Sequence, residues 1–125
     1  MLVLTDPREA YQRCAFDARV KGADASALVG LCLEQAIAAL GGALLAQERN
    51  EPVRRNRALS RALTALTALD MGVDRAAPLA DALLQLYGTG RQAVLDSVIA
   101  FRPQALAAAR QDLIDIDAAL NPRRL

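Results

Sequence analysis

Residues Leu28–Ala46, LVGLCLEQAIAALGGALLA, are apolar almost all round, interrupted only by Glu34, Gln35 and three glycines. A helix without a polar face belongs at the centre of a bundle or inside a bilayer. Residues 27–46 do reach spanning length. However, Glu34 stands near the middle, where a carboxylate is costly in hydrocarbon, and much of the run is Ala and Gly. The reading is a buried helix of an all-α protein, capped at its start by Asp24 or Ser26.

The sequence on either side supports this. Asn50-Glu51-Pro52 marks a turn, and the next helix carries Leu59, Ala62, Leu63, Leu66, Leu69 and Val73 at spacings of three and four. Its other face shows Arg54, Arg57 and Arg61, near Glu48 and Glu51. Such a ridge suits a solvated face, or contact with phosphates or an acidic partner; no aromatic group stands nearby to stack on bases. A loop around Asp70–Asp74 precedes a helix whose first turn holds Pro78 and whose expected core stripe is Leu79, Leu83, Leu86, Tyr87, Val94 and Val98. Gly88 and Gly90 inside it each cost up to about 1 kcal/mol relative to Ala, so a close backbone approach or a locally loose helix is expected there. Arg102-Pro103 opens the last helix, where Leu106, Ala109, Leu113, Ile116 and Leu120 follow the clearest heptad pattern in the chain. At the other end, Asp6-Pro7 starts a short helix that carries Tyr11 and Cys14 and stops at Lys21-Gly22.

The expectation is therefore a single all-α domain over residues 1–125. It is an antiparallel up-down four-helix bundle with a short additional N-terminal helix, because short connections favour antiparallel neighbours. The short helix covers about 7–21, and the long ones about 25–49, 53–70, 76–100 and 103–120. Composition agrees: of 125 residues 27 are Ala and 21 Leu, against 11 Val plus Ile, which leaves little material for a sheet.

What the chain lacks narrows function further. It has no histidine, hence no imidazole base or ligand and no phosphotransfer histidine. No phosphate-binding glycine loop, nucleophile elbow or HExxH is present, and Cys14 and Cys32 form no CxxC pair. Both cysteines suit core positions, and Asp112, Asp115 and Asp117 suit a solvated face. An enzyme is not expected, nor is a cofactor or a metal. Fifteen basic and 14 acidic residues generate no field that would gather nucleic acid. The apolar start Met1–Leu4 is too short for an export signal, so cytoplasmic residence is expected. Binding remains, in apolar grooves between helices that accept an amphipathic partner.

Three stretches resemble the flagellar export chaperones of the FliS type, in order and over nearly the whole chain. Ala10-Tyr11-Gln12 is similar to that family's N-terminal Tyr-containing helix. Leu28–Ile37 resembles its Leu-Ile-x-Met-Leu-Tyr-Asp-Gly-Ala-Ile run, with Leu33 in place of Tyr. Leu79–Tyr87 resembles its Ile-Ala-x-Asn-Leu-x-x-Leu-Tyr run, with Ala82 for Asn, and Leu69-Asp70 matches the Leu-Asp before it. Thr89 replaces a second Tyr, and no Trp closes the last helix.

The resemblance implies a cytoplasmic chaperone that binds the disordered C-terminal segment of flagellin in apolar grooves. Binding would block premature polymerisation and aid delivery to the export apparatus, a further partner. It implies groove residues Tyr11, Leu31, Leu83, Leu86, Tyr87, Gly88 and Gly90, with Gly88 and Gly90 leaving room for bulky partner side chains. No nucleic acid and no membrane span are expected, and the chain is expected to be a monomer or weak dimer. The alternatives are a non-enzymatic adaptor for a different helical partner, or a structural bundle that self-associates through its heptad-patterned last helix.

Overall fold

The structure is a computed structural model that describes residues 25–120. The expected helix over about 7–21, with Tyr11 and Cys14, lies outside the described residues. Four helices follow in order: α1 Ala25–Glu48, α2 Pro52–Met71, α3 Ala80–Ile99 and α4 Pro103–Leu120. No strand occurs among the described residues.

Each connection has a local cause. After α1, Asn50 adopts a left-handed φ of 54°, while Asn50 N–H donates to Gln47 and Glu51 N–H to Ala46. These two bonds satisfy carbonyls the helix end leaves free, and Pro52 at once restarts the chain as a helix. Between α2 and α3, Asp74 Oδ1 accepts from Ala76 N–H and its carbonyl from Ala77 N–H. This turn holds Pro78 ahead of α3, so the helix begins at Ala80 rather than near residue 76. Before α4, the buried Ser97 hydroxyl accepts from Arg102 N–H at 3.1 Å.

The short α1–α2 and α3–α4 connections turn the chain back on itself, giving an all-α, antiparallel up-down four-helix bundle. Backbones of α1 and α3 each pack against α2 and α4, whereas the diagonal pairs reach each other only through side chains. The seam between α1 and α2 is the most intimate. Ala36, Ala39, Ala43 and Ala46 on one helix and Ala62, Ala65 and Ala68 on the other are buried, and such small side chains let backbones approach. Leu33, Leu40, Leu59, Leu66, Leu106 and Leu113 fill the centre. Each contributes roughly 1.5–3 kcal/mol by leaving water.

The α2 stripe lies where the periodicity puts it from Leu59 to Leu69, but α2 ends at Met71 and Val73 falls in the connection after it. The α4 stripe holds throughout, down to a half-buried Ile116 and a more exposed Leu120 at its end. The α3 stripe is corrected. Leu79 is 63% and Val98 46% exposed. Because the helix starts at Ala80, the inward row is Ala80, Leu83, Tyr87, Gly90, Val94 and Ser97, at spacings of 3, 4, 3, 4 and 3. Gly90 points between Leu66 and Ala109, and a Cβ there would lie 3.4 Å from the Leu66 methyls.

Residues 27–48 are long and apolar enough, at a hydropathy of 1.8, to cross a bilayer by length and composition. Here that helix packs its apolar row against α2 and α4 and leaves Glu34 and Gln35 exposed.

Candidate docking surface

Two adjoining clefts run along the outer seam of α1 and α2 and share Gly42, Ala58 and Arg61. One, of about 520 Å³, is walled by Gln35, Ala38, Ala39 and Thr64. The other, of about 330 Å³, lies nearer the α1–α2 turn, among Leu45, Ala46, Arg49, Glu51, Arg54 and Arg57. Helical spacing builds the groove. Gln35, Ala38, Gly42 and Leu45 recur every three or four residues along one face of α1, and Arg49 follows just past its end. Arg54, Ala58 and Arg61 recur likewise on α2.

The floor is made of side chains too small to fill it. Ala58 lies 3.7 Å from the point where a Gly42 Cβ would sit, so an alanine there would make ordinary contact and a larger side chain would occupy the groove. The rim is basic toward the turn, where Arg49, Arg54, Arg57 and Arg61 are all exposed. Glu51 bridges Arg54 at 3.1 Å. The Arg55 guanidinium donates to Gln47 Oε1 at 2.8 Å and ties the end of α1 to the start of α2.

A second surface lies on α3. Leu84, Gly88, Arg91, Leu95 and Val98 form an outward row, and Ile99 beside it is 91% exposed. A Cβ at Gly88 would meet nothing within 4 Å among the described residues.

The sequence-predicted residues are distributed over these surfaces and the interior. Leu31 is half-buried on α1 and lines neither cleft, while Leu83 and Leu86 are half-buried on α3, diagonally across the bundle. Tyr87 is only 1% exposed, and Gly90 is buried. Burial pushes the Tyr87 phenol up to about 12, helped by the Cys32 thiol facing it from α1. The structure therefore does not bring Leu31 and the α3 residues together into one groove, and Tyr11 lies outside the described residues. Sequence reasoning missed Gln35, Ala38, Gly42 and Ala58. The available signal was a row of small residues on α1 running alongside the arginine ridge of α2.

Among the described residues no group of three or more Cys, Asp or Glu is placed to hold a metal. Cys32 packs in the core, and Asp115 accepts a hydrogen bond from Gln111 at 2.9 Å on the exposed face of α4.

No curated protein and no solved structure matches the chain significantly. A family model does, over residues 7–120, and its description is flagellar protein FliS. That match takes in all four helices and most of what precedes them, so the chain belongs to the flagellar protein FliS family.

Proposed function

We propose that this protein is a cytoplasmic chaperone that holds the disordered C-terminal segment of flagellin against its helix seams, prevents premature polymerisation and assists export. The family is one of flagellar export chaperones, and membership over residues 7–120 supports the general role. The observation that carries the finer reading is the long groove along α1 and α2, floored by Ala38, Ala39, Gly42 and Ala58. A segment that buries an apolar stripe in its final assembly needs a substitute partner beforehand, and a shallow apolar groove supplies one. Ordering such a segment costs of order 2–5 kcal/mol, which favours a contact that wraps several surfaces. Gln35, Ala38, Gly42 and Ala58 in this groove, and Leu31 on α1 and Leu83, Leu86 and Gly88 on α3 beyond it, are the proposed contacts, with Tyr87 and Gly90 supporting the α3 face from within.

Self-association through α4 has less in its favour. Leu106, Ala109 and Leu113 of the heptad row are buried inside the bundle, so the pattern is accounted for without a second copy.

Calorimetric titration with the last 40–60 residues or so of flagellin from the same organism tests the proposal. Submicromolar one-to-one binding with a negative heat-capacity change is expected, the signature of apolar burial. Absence of binding by a protein whose helicity is verified by circular dichroism would overturn it.

A further inference from the structure

We propose that the basic end of the α1–α2 groove reads carboxylates on the docked segment. An acidic, helix-forming stretch of flagellin's C-terminal region would lay small apolar side chains on Gly42, Ala46 and Ala58 and its acidic flank against Arg57 and Arg61. The inference rests on the client reading above and adds to it a charge requirement and a polarity along the groove.

Charge is unevenly spread over the molecule. The whole chain carries a net charge of only +1, yet Arg49, Arg54, Arg57 and Arg61 converge on one cleft whose single lining carboxylate among the described residues, Glu51, already bridges Arg54. Exposed guanidiniums side by side repel one another, and an arriving carboxylate removes that repulsion while gaining paired hydrogen bonds. The start of α2 adds to the field. Glu51 makes no side-chain hydrogen bond to cap it, so the positive end of the helix faces the same region.

The floor decides between classes of polyanion. Leu45, Ala46 and Ala58 offer apolar contact, and among the described residues no aromatic side chain lines either cleft to stack on a base. A peptide with a small apolar side fits this better than a nucleic acid strand. The opposite end of the groove, around Gln35, Ala38 and Thr64, is lined among the described residues by no charged group beyond Arg61, so the acidic part of the client lies toward the α1–α2 turn.

The test titrates the flagellin C-terminal segment into the wild-type protein and into the Arg57→Glu/Arg61→Glu and Arg57→Lys/Arg61→Lys double variants at several salt concentrations. Both positions are exposed, and circular dichroism verifies each fold. Expected are wild-type affinity that falls with salt, a loss of about tenfold or more at low salt for the Glu pair, and a loss of only about threefold for the Lys pair, which keeps the charge but not the paired guanidinium–carboxylate bonds. Salt-independent binding, equal in wild type and the Glu pair, would overturn the charge requirement and leave the client reading standing. No binding by folded wild type would overturn both. Saturable binding of a homopolymeric single-stranded RNA, lost in the Glu pair, would overturn the peptide assignment in favour of nucleic acid.

Discussion

Arg110 of α4 donates from Nε to the main-chain carbonyl oxygen of Ile37 in α1, 3.3 Å away, and the same guanidinium lies over Gly41. A Cβ at position 41 would come within 3.1 Å of that Nε, so the glycine and the arginine are one device joining the first and last helices. Glycine in a helix interior costs up to about 1 kcal/mol relative to alanine. Here the cost is offset by the contact it permits.

A double-mutant cycle separates the two effects. Arg110→Ala is expected to cost about 1–2 kcal/mol, from a charge-assisted bond and the packing of the arginine stem. Gly41→Ala alone is expected to be close to neutral, because the helix gain is offset by displacement of the guanidinium. In the Arg110→Ala background the same change becomes stabilising by about 0.5–1 kcal/mol. Urea unfolding of the four proteins measures this, and strictly additive values would show that the two residues act independently.

Gly88 and Gly90 lie two residues apart, yet their surroundings differ. Gly88 faces open space, whereas Gly90 faces Leu66 and Ala109 in the core. Gly88→Leu is expected to leave the fold intact and to lower client affinity if the outward face of α3 takes part in binding. Gly90→Leu is expected to destabilise by about 1–3 kcal/mol or more, since the core has no room for four extra carbons. Gly90→Ala, with ordinary contacts at 3.4 and 3.8 Å, is expected to be tolerated. Thermal melts alongside calorimetric titration separate these outcomes, and equal melting temperatures for the two Leu variants would contradict the assignment.

The contrast between these glycines also shows how far the sequence could be read. Large apolar residues at helical spacing located α2 and α4, because Leu59, Leu66, Leu106 and Leu113 are bulky enough to declare an inward face. On α3 the inward row includes Ala80, Gly90 and Ser97, and small residues carry little hydropathic signal. The more conspicuous Leu79 and Val98 pointed to a face roughly one residue away. The groove escaped notice for the same reason. Its floor is alanine and glycine, which in a chain with 27 alanines look like ordinary seam packing until two helices are placed side by side. Leu31, the expected groove residue on α1, lines neither cleft, and the small residues that do line them carry no hydropathic signal.

Tyr87 supplies a pH-dependent prediction. Its pKa is raised from 10.0 to about 12, first by burial and then by the nearby Cys32 thiol. The unfolded chain therefore loses this proton at lower pH than the folded one. The stability contribution is intact below pH 10 and declines as pH rises from about 10 to 12, by roughly 2–3 kcal/mol at about 1.4 kcal/mol per unit. Denaturant unfolding across this range, compared with Tyr87→Phe, isolates the tyrosine. The variant should show a shallower decline, and parallel curves would mean the phenol titrates normally.

Gly42 gives the most direct test of the α1–α2 groove, because it borders both clefts and is itself exposed. Among the described residues an added Cβ meets only Ala58, at 3.7 Å, so Gly42→Ala is expected to stabilise α1 by about 0.5–1 kcal/mol and to change client affinity by no more than about twofold. Gly42→Leu keeps that helix preference but places an isobutyl group across the floor, in the space a docked side chain would need. Its melting temperature should be at least that of wild type, while its affinity for the flagellin segment falls by about tenfold or more, the loss of one well-filled apolar contact of about 1.5 kcal/mol. The pairing matters because the two variants share the backbone effect and differ only in what they put into the groove. Undiminished binding by Gly42→Leu would move the client off this seam and onto the outward row of α3, where Gly88→Leu would then be the variant that fails.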